Sequence, residues 1–144
     1  MKFKGLVSAE KEITMKILVS YNATKESQAA LDLARNYAKV FNARMVVVSS
    51  SEGGKGEKLE DINKIKEDLE KIQAEIVNDG IECQVEQLAR GFAPGEDIVL
   101  YADENNIDQI YVGIHKKSRT SKLIMGSTAQ YIILKAKCPV ISVK

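Results

Sequence analysis

Gly113-Ile114-His115-Lys116-Lys117-Ser118-Arg119-Thr120-Ser121-Lys122-Leu123-Ile124-Met125-Gly126-Ser127 joins a short apolar strand, Gln109 to Val112, to a segment of helical spacing, Ala129 to Ala136. One glycine ends a strand, and a second stands beside a hydroxyl residue where a helix opens. That is what a phosphate group needs. Glycine lets backbone approach a ligand closely. The first N–H groups of a helix are unpaired and carry partial positive charge. Lys116, Lys117, Arg119 and Lys122 add cations between the glycines. The pattern is neither a Walker P-loop nor a dinucleotide Gly-x-Gly-x-x-Gly.

Outward from this stretch the chain alternates between strand and helix. Lys16 to Tyr21 is a run of β-formers, and Asn22-Ala23-Thr24 is a turn in which Thr24 suits a helix N-cap. Ala30, Leu31, Leu33, Ala34, Tyr37, Ala38 and Phe41 follow at helical spacing, with Asn42 as the stop. Met45 to Val48 is apolar on both faces, the pattern of a parallel strand covered by helices on each side, and Ser49-Ser50-Ser51 ends it. After the loop Gly53-Gly54-Lys55-Gly56, the residues Leu59, Ile62, Ile65, Leu69, Ile72 and Ile76 mark a long amphipathic helix closed by Asn78-Asp79-Gly80. Ile81 to Leu88 alternates with a period of two, so it predicts an edge strand. Pro94 opens a third helix that closes at Asn105-Asn106, Ile107 to Val112 is the fourth strand, and Cys138 to Val143 is the fifth.

This order predicts an α/β fold: a doubly wound, five-stranded parallel sheet of order 3-2-1-4-5 with helices on both faces. Ligands of such folds sit beyond the strand C-termini where the winding reverses, here between strands one and four. The topology therefore brings Asn22 and the Gly113–Ser127 stretch into one crevice. Pro139 fits a fifth strand at an edge. A short apolar edge, Val140 to Val143, is expected to pair antiparallel with a second copy across a two-fold axis.

Composition narrows the functional classes. The chain has 144 residues, 44% hydrophobic and 28% charged, which suits one soluble domain. Lys and Arg total 21 against 20 Asp and Glu, a net charge of +1, which gives no case for nucleic-acid binding. Two separated cysteines and one histidine make a zinc site an unsupported reading, and no metal ligands are assigned. No apolar run spans a membrane, and residues 1–14 lack the apolar centre of a signal peptide. The expectation is an N-terminal arm over 1–14, a folded domain over 15–144, and a cytoplasmic location with reduced thiols.

From Met15 to Lys144 the chain resembles the universal stress protein family. The nucleotide-binding branch carries Gly, two residues, Gly, nine residues, then Gly-Ser or Gly-Thr; the matching positions are Gly113, Lys116, Gly126 and Ser127, so lysine stands at the second glycine. Ile17 to Thr24 is similar to the family's first strand and turn, with Asn22 where aspartate is usual, and Ala136 to Val143 is similar to its last helix and strand. The resemblance implies a stress-response protein with ATP, carried with Mg²⁺, at the switch point. Ser50 would lie by the adenine. Tyr21 and Asn22 would line the ribose and phosphate side, and Gly113, Lys116, Gly126, Ser127 and Thr128 the phosphates. It also implies a homodimer through the C-terminal strand. Another branch of the family binds no nucleotide and would act through protein contacts.

Each of these residues has a plainer role beside the ligand role. Gly113 would serve a turn that needs positive φ. Ser127 and Gln130 would form a Ser-x-x-Gln capping box. Lys116 would either clamp phosphate as a point charge or block backbone approach; the neighbouring cations favour the clamp. Asn22 lacks the charge for direct metal contact but can hydrogen-bond ribose or phosphate. His115 has no carboxylate near it in sequence, and no catalytic residues are assigned; ATP hydrolysis, if any, is expected to be slow.

Overall fold

The structure, a computed structural model, describes residues 14–115 and 125–144. Five strands, β1 (Lys16–Ser20), β2 (Arg44–Ser50), β3 (Cys83–Leu88), β4 (Gln109–Gly113) and β5 (Val140–Val143), alternate with four helices, α1 (Lys25–Phe41), α2 (Leu59–Asn78), α3 (Pro94–Glu104) and α4 (Ser127–Lys135). The sheet is parallel throughout, in the order β3-β2-β1-β4-β5. The winding reverses between β1 and β4, as the alternation of elements predicts.

The central strand shows why both faces must be apolar. Ile17 and Val19 face α1 and α2, packing with Val47, Tyr111, Ala30, Leu31, Ala34, Leu69 and Ile72. Leu18 faces the other way, toward α3 and α4, with Val46, Val48, Ile110, Ile98, Ala102 and Ile132. Successive side chains of a strand point to opposite faces, so a strand covered on both sides can hold no polar residue in its middle. β3 has one neighbour, and its solvent-facing residues Gln84 and Glu86 are exposed, as expected of an edge.

Several boundaries move for identifiable reasons. β2 continues through Ser49 and Ser50, because these pair with Gln87 and Leu88 of β3. β4 starts at Gln109, since the Ile107 N–H donates to the Ala102 carbonyl and finishes α3. β5 begins at Val140, two residues after Cys138. The Ser127–Gln130 capping box does not form. Gly126 is the N-cap of α4 and makes no side-chain cap bond, and Ser127 is already the first helical residue. α1 behaves as its sequence predicts: Thr24 Oγ1 accepts from the Ser27 N–H at 3.1 Å, and Asn42 ends the helix in the left-handed region at φ 53°.

Among the described residues no helix is long and apolar enough to cross a membrane. The arm expected over 1–14 lies, but for Thr14, outside the described residues.

Candidate functional site

Two recesses open at the C-terminal ends of the strands, and Asn22 lines both. The first, of about 220 Å³, lies between β1, β4 and the start of α4; Asn22, Gly113, His115, Gly126, Ser127 and Thr128 line it. The second, of about 330 Å³, lies beyond β2 and against α2, lined by Ser49, Ser50, Ser51, Lys58, Ile62 and Gln87. The pair forms a split crevice at the switch point, the place where doubly wound sheets bind ligands. A smaller recess of about 120 Å³, with Lys16, Arg44, Glu82 and Tyr101, sits at the opposite ends of the strands.

The turn after β1 is built by its own side chains. Asn22 Oδ1 accepts from the Thr24 hydroxyl at 2.6 Å and from the Thr24 N–H at 3.3 Å. The Ser27 hydroxyl donates to the Thr24 carbonyl at 2.9 Å and accepts from the Asn22 N–H at 3.3 Å. Ala23 adopts φ 64° to close the turn. With Oδ1 committed to Thr24, what Asn22 can offer a ligand is its Nδ2 amide, which has no partner among the described residues. A donor suits a phosphate or ribose oxygen and does not suit a cation.

Gly113 owes its lack of a side chain to packing. It sits in the last position of β4 without positive φ, so the turn explanation fails. Its Cα instead meets the start of α1: a Cβ would lie 2.6 Å from both the Glu26 carbonyl oxygen and the Ser27 nitrogen. Gly126 is the reverse case. Among the described residues a Cβ there would meet nothing within 4 Å. It stands at the N-terminus of α4, where no side-chain cap forms among the described residues.

The remaining predicted residues separate. Ser127 and Thr128 lie on the first turn of α4 and line the first recess, and Ser50 lines the second. The Ser50 hydroxyl donates to Asp97 Oδ2 at 2.9 Å, so its side chain is tied to α3. Tyr21 lines neither recess. It follows the parity of Ile17 and Val19 into the core beneath α2, where burial and the neighbouring Asp68 carboxylate push its hydroxyl pKa up. Lys116, with Lys117, Arg119 and Lys122, lies outside the described residues. Cys83 is buried, which pushes its thiol up to about 11 and leaves it inert at neutral pH. Among the described residues no group of three His, Cys, Asp or Glu side chains could hold a metal ion.

Two features escape a reading of the sequence. Asp97 is 0% exposed and holds Arg90 Nε at 2.6 Å as well as Ser50. Glu26, on the first turn of α1, reaches His115 across 89 positions, Oε1 to Nδ1, at 2.9 Å. The hydrogen bond with His115 holds the Glu26 carboxyl below its usual pKa. Local sequence carries no signal for either pair.

Comparisons with known proteins agree with this architecture. The family model described as the universal stress protein family matches residues 14–144. The structure of a universal stress protein from Archaeoglobus fulgidus is 39% identical, with a TM-score of 0.81 over 90% of this chain and 98% of that one. Another from Archaeoglobus fulgidus, solved in complex with dAMP, is 34% identical with a TM-score of 0.74 and covers 92% of this chain and 99% of that one. Universal stress protein MJ0531 of Methanocaldococcus jannaschii is 29% identical over 140 residues, 90% of this chain and 81% of its own. With a family match that runs through the whole sheet and all four helices, the chain belongs to the universal stress protein family.

Proposed function

We propose that this stress-response protein binds ATP at the switch point between β1 and β4 and acts as a nucleotide-dependent regulatory module. The observation that carries this reading is the start of α4. Among the described residues its first N–H groups have no side-chain cap, and Gly126, Ser127 and Thr128 line the recess that Asn22 and Gly113 also line. Such a terminus attracts phosphate through unpaired donors and the helix dipole. Among the described residues nothing crowds the Cβ position of Gly126, which would let a phosphate approach, and Asn22 Nδ2 can donate to a ribose or phosphate oxygen. The recess beyond β2, with Ser50 at its rim, has room for the base. A relative 34% identical to this chain was solved with dAMP, which supports an adenine nucleotide as the ligand class. In this reading Lys116 adds an ammonium to the phosphates. Mg²⁺ is carried on the phosphate oxygens, since Asn22 offers it no carboxylate.

The reading includes a homodimer through β5 and a cytoplasmic location. Among the described residues β5 pairs only with β4, and its other edge is open. Exposed apolar residues, Phe41 on α1 and Leu134 on α4, stand on the two helices that pack against β5.

Calorimetric titration of the full chain with ATP and Mg²⁺, at low and moderate salt, tests the site. Saturable heat and a raised melting temperature are expected. Neither at millimolar ATP would overturn the proposal and favour the branch that works by protein contacts alone.

A further inference from the structure

We infer that His115 is the proton acceptor for hydrolysis of the terminal phosphoanhydride bond of the bound nucleotide, and that Glu26 is its positioning residue. The inference rests on the nucleotide reading above and extends it from binding to turnover.

The argument begins with the way the pair is held. The Gly113 backbone lies directly against the peptide of Glu26, so the end of β4 and the first turn of α1 form one rigid unit. Ile114 is buried, and its N–H donates to the Val143 carbonyl at 2.7 Å, which anchors the backbone one residue before His115. On the other side, Thr24 and the buried Ser27 fix the start of α1 through their caps. The Glu26 side chain is 15% exposed and the His115 side chain 68%. The carboxylate is therefore the sheltered, fixed partner and the imidazole the open one.

This arrangement sets the chemistry of the ring. When a carboxylate accepts the Nδ1 proton, the neutral imidazole keeps its lone pair on Nε2. A base oriented by a third group is the recurring plan for proton abstraction. The Glu26 carboxyl is held below its usual pKa by the same bond, so it stays ionised as the acceptor. Both side chains line the recess that contains Ser127 and Thr128, the residues at the phosphate-attracting end of α4.

The step balances as follows. A water oxygen bonds to the terminal phosphorus while one of its protons passes to His115 Nε2. The bond from that phosphorus to the bridging oxygen breaks, and the bridging oxygen leaves on the nucleoside diphosphate. His115 then returns the proton to the solvent to which its ring is open. The N–H groups of α4 stabilise the charge on the departing phosphoryl oxygens.

Phosphate release from ATP by the full chain, set against ATP affinity from calorimetry, tests this. His115→Gln should lower the release rate by about 100-fold or more, the usual contribution of a general base, with affinity changed less than about threefold. Glu26→Ala should lower the rate several-fold at unchanged affinity, and Glu26→Gln should restore part of it, because an amide oxygen still accepts from Nδ1. His115 is the single histidine of the chain, so its ¹⁵N resonances report the tautomer directly. The proton should sit on Nδ1 in the wild type and redistribute toward Nε2 in Glu26→Ala. Wild-type protein that binds ATP yet releases no phosphate would overturn this inference and leave the binding proposal standing, as would a His115→Gln variant as fast as wild type. Absence of ATP binding would overturn both.

Discussion

The Cα of Gly113 is packed so closely on Glu26 that a methyl group there would come within 2.6 Å of the Glu26 carbonyl oxygen. The neighbour is helix backbone, which cannot swing aside as a side chain would. Gly113→Ala should therefore cost about 2–3 kcal/mol, the upper part of the range for overpacking. Gly126→Ser should do the opposite. Among the described residues its Cβ position is open, its φ is −61°, and a serine N-cap should stabilise α4 by roughly a few tenths of a kcal/mol. The same substitution puts a side chain where phosphate would approach, so ATP affinity should fall. Urea melts and ATP titrations of the two variants separate the glycine kept for packing from the glycine proposed to admit the ligand; a Gly113→Ala variant as stable as wild type would contradict the packing assignment.

Arg90 bonds to the fully buried Asp97 carboxylate and, at 2.8 Å, to the exposed Glu104. Arg90→Met should leave the buried Asp97 carboxyl without its partner and cost about 3 kcal/mol. Adding Asp97→Asn should recover part of that loss. A double-mutant cycle by urea denaturation measures the coupling, and strict additivity would refute it.

Asp79 joins the end of α2 to α1 through Lys39 at 3.2 Å and Arg35 at 3.5 Å. The Lys39 hydrogen bond, with both cations, holds its carboxyl below the usual range. A depressed folded pKa means that the stabilisation is present above the unfolded value and is lost as pH falls through the folded one. Thermal melts should show Asp79→Asn less stable than wild type at neutral pH, with the gap closing as the pH drops below the carboxylate range. A gap that persists in strong acid would point to a cause other than the ion pairs.

For the dimer, the register of β5 selects the informative substitution. The carbonyls of Pro139 and Val143 accept from Ile110 and Ile114, so odd-numbered residues of β5 point their backbone groups at β4. Val140 and Ser142 then present theirs to the open edge, because backbone groups alternate sides along a strand. Ser142→Pro should remove an edge donor and give a monomer of unchanged helical content, whereas Ile141→Pro should also damage the β4 ladder. Wild-type protein that sediments as a monomer at high micromolar concentration would rule out this interface.

The topology is legible in local pattern. Runs such as Met45–Val48, apolar on both faces, require cover on both sides, and helices between them force parallel crossovers. Those two facts give a doubly wound sheet, for which 3-2-1-4-5 is the natural order, and that order brings Asn22 and Gly113 together. Cap positions Thr24 and Asn42 are equally legible, because their chemistry acts within a few residues.

What the chain pattern could not decide depends on which distant groups meet. The amino acids show a glycine at 113, but only the crossing of α1 over β4 shows that a helix backbone occupies the place of its Cβ. The aromatic ring of Tyr21 could belong to crevice or core until strand parity and the position of α2 turn it inward. Asn22 can offer a ligand either its amide oxygen or its amide nitrogen until the Thr24 bonds claim the oxygen. His115 finds its carboxylate 89 residues away, and Asp97 its hydroxyl partner 47 away. Periodicity acts along the chain and sets which face a residue takes; the partner on that face is chosen by packing between elements, a property that no local window contains.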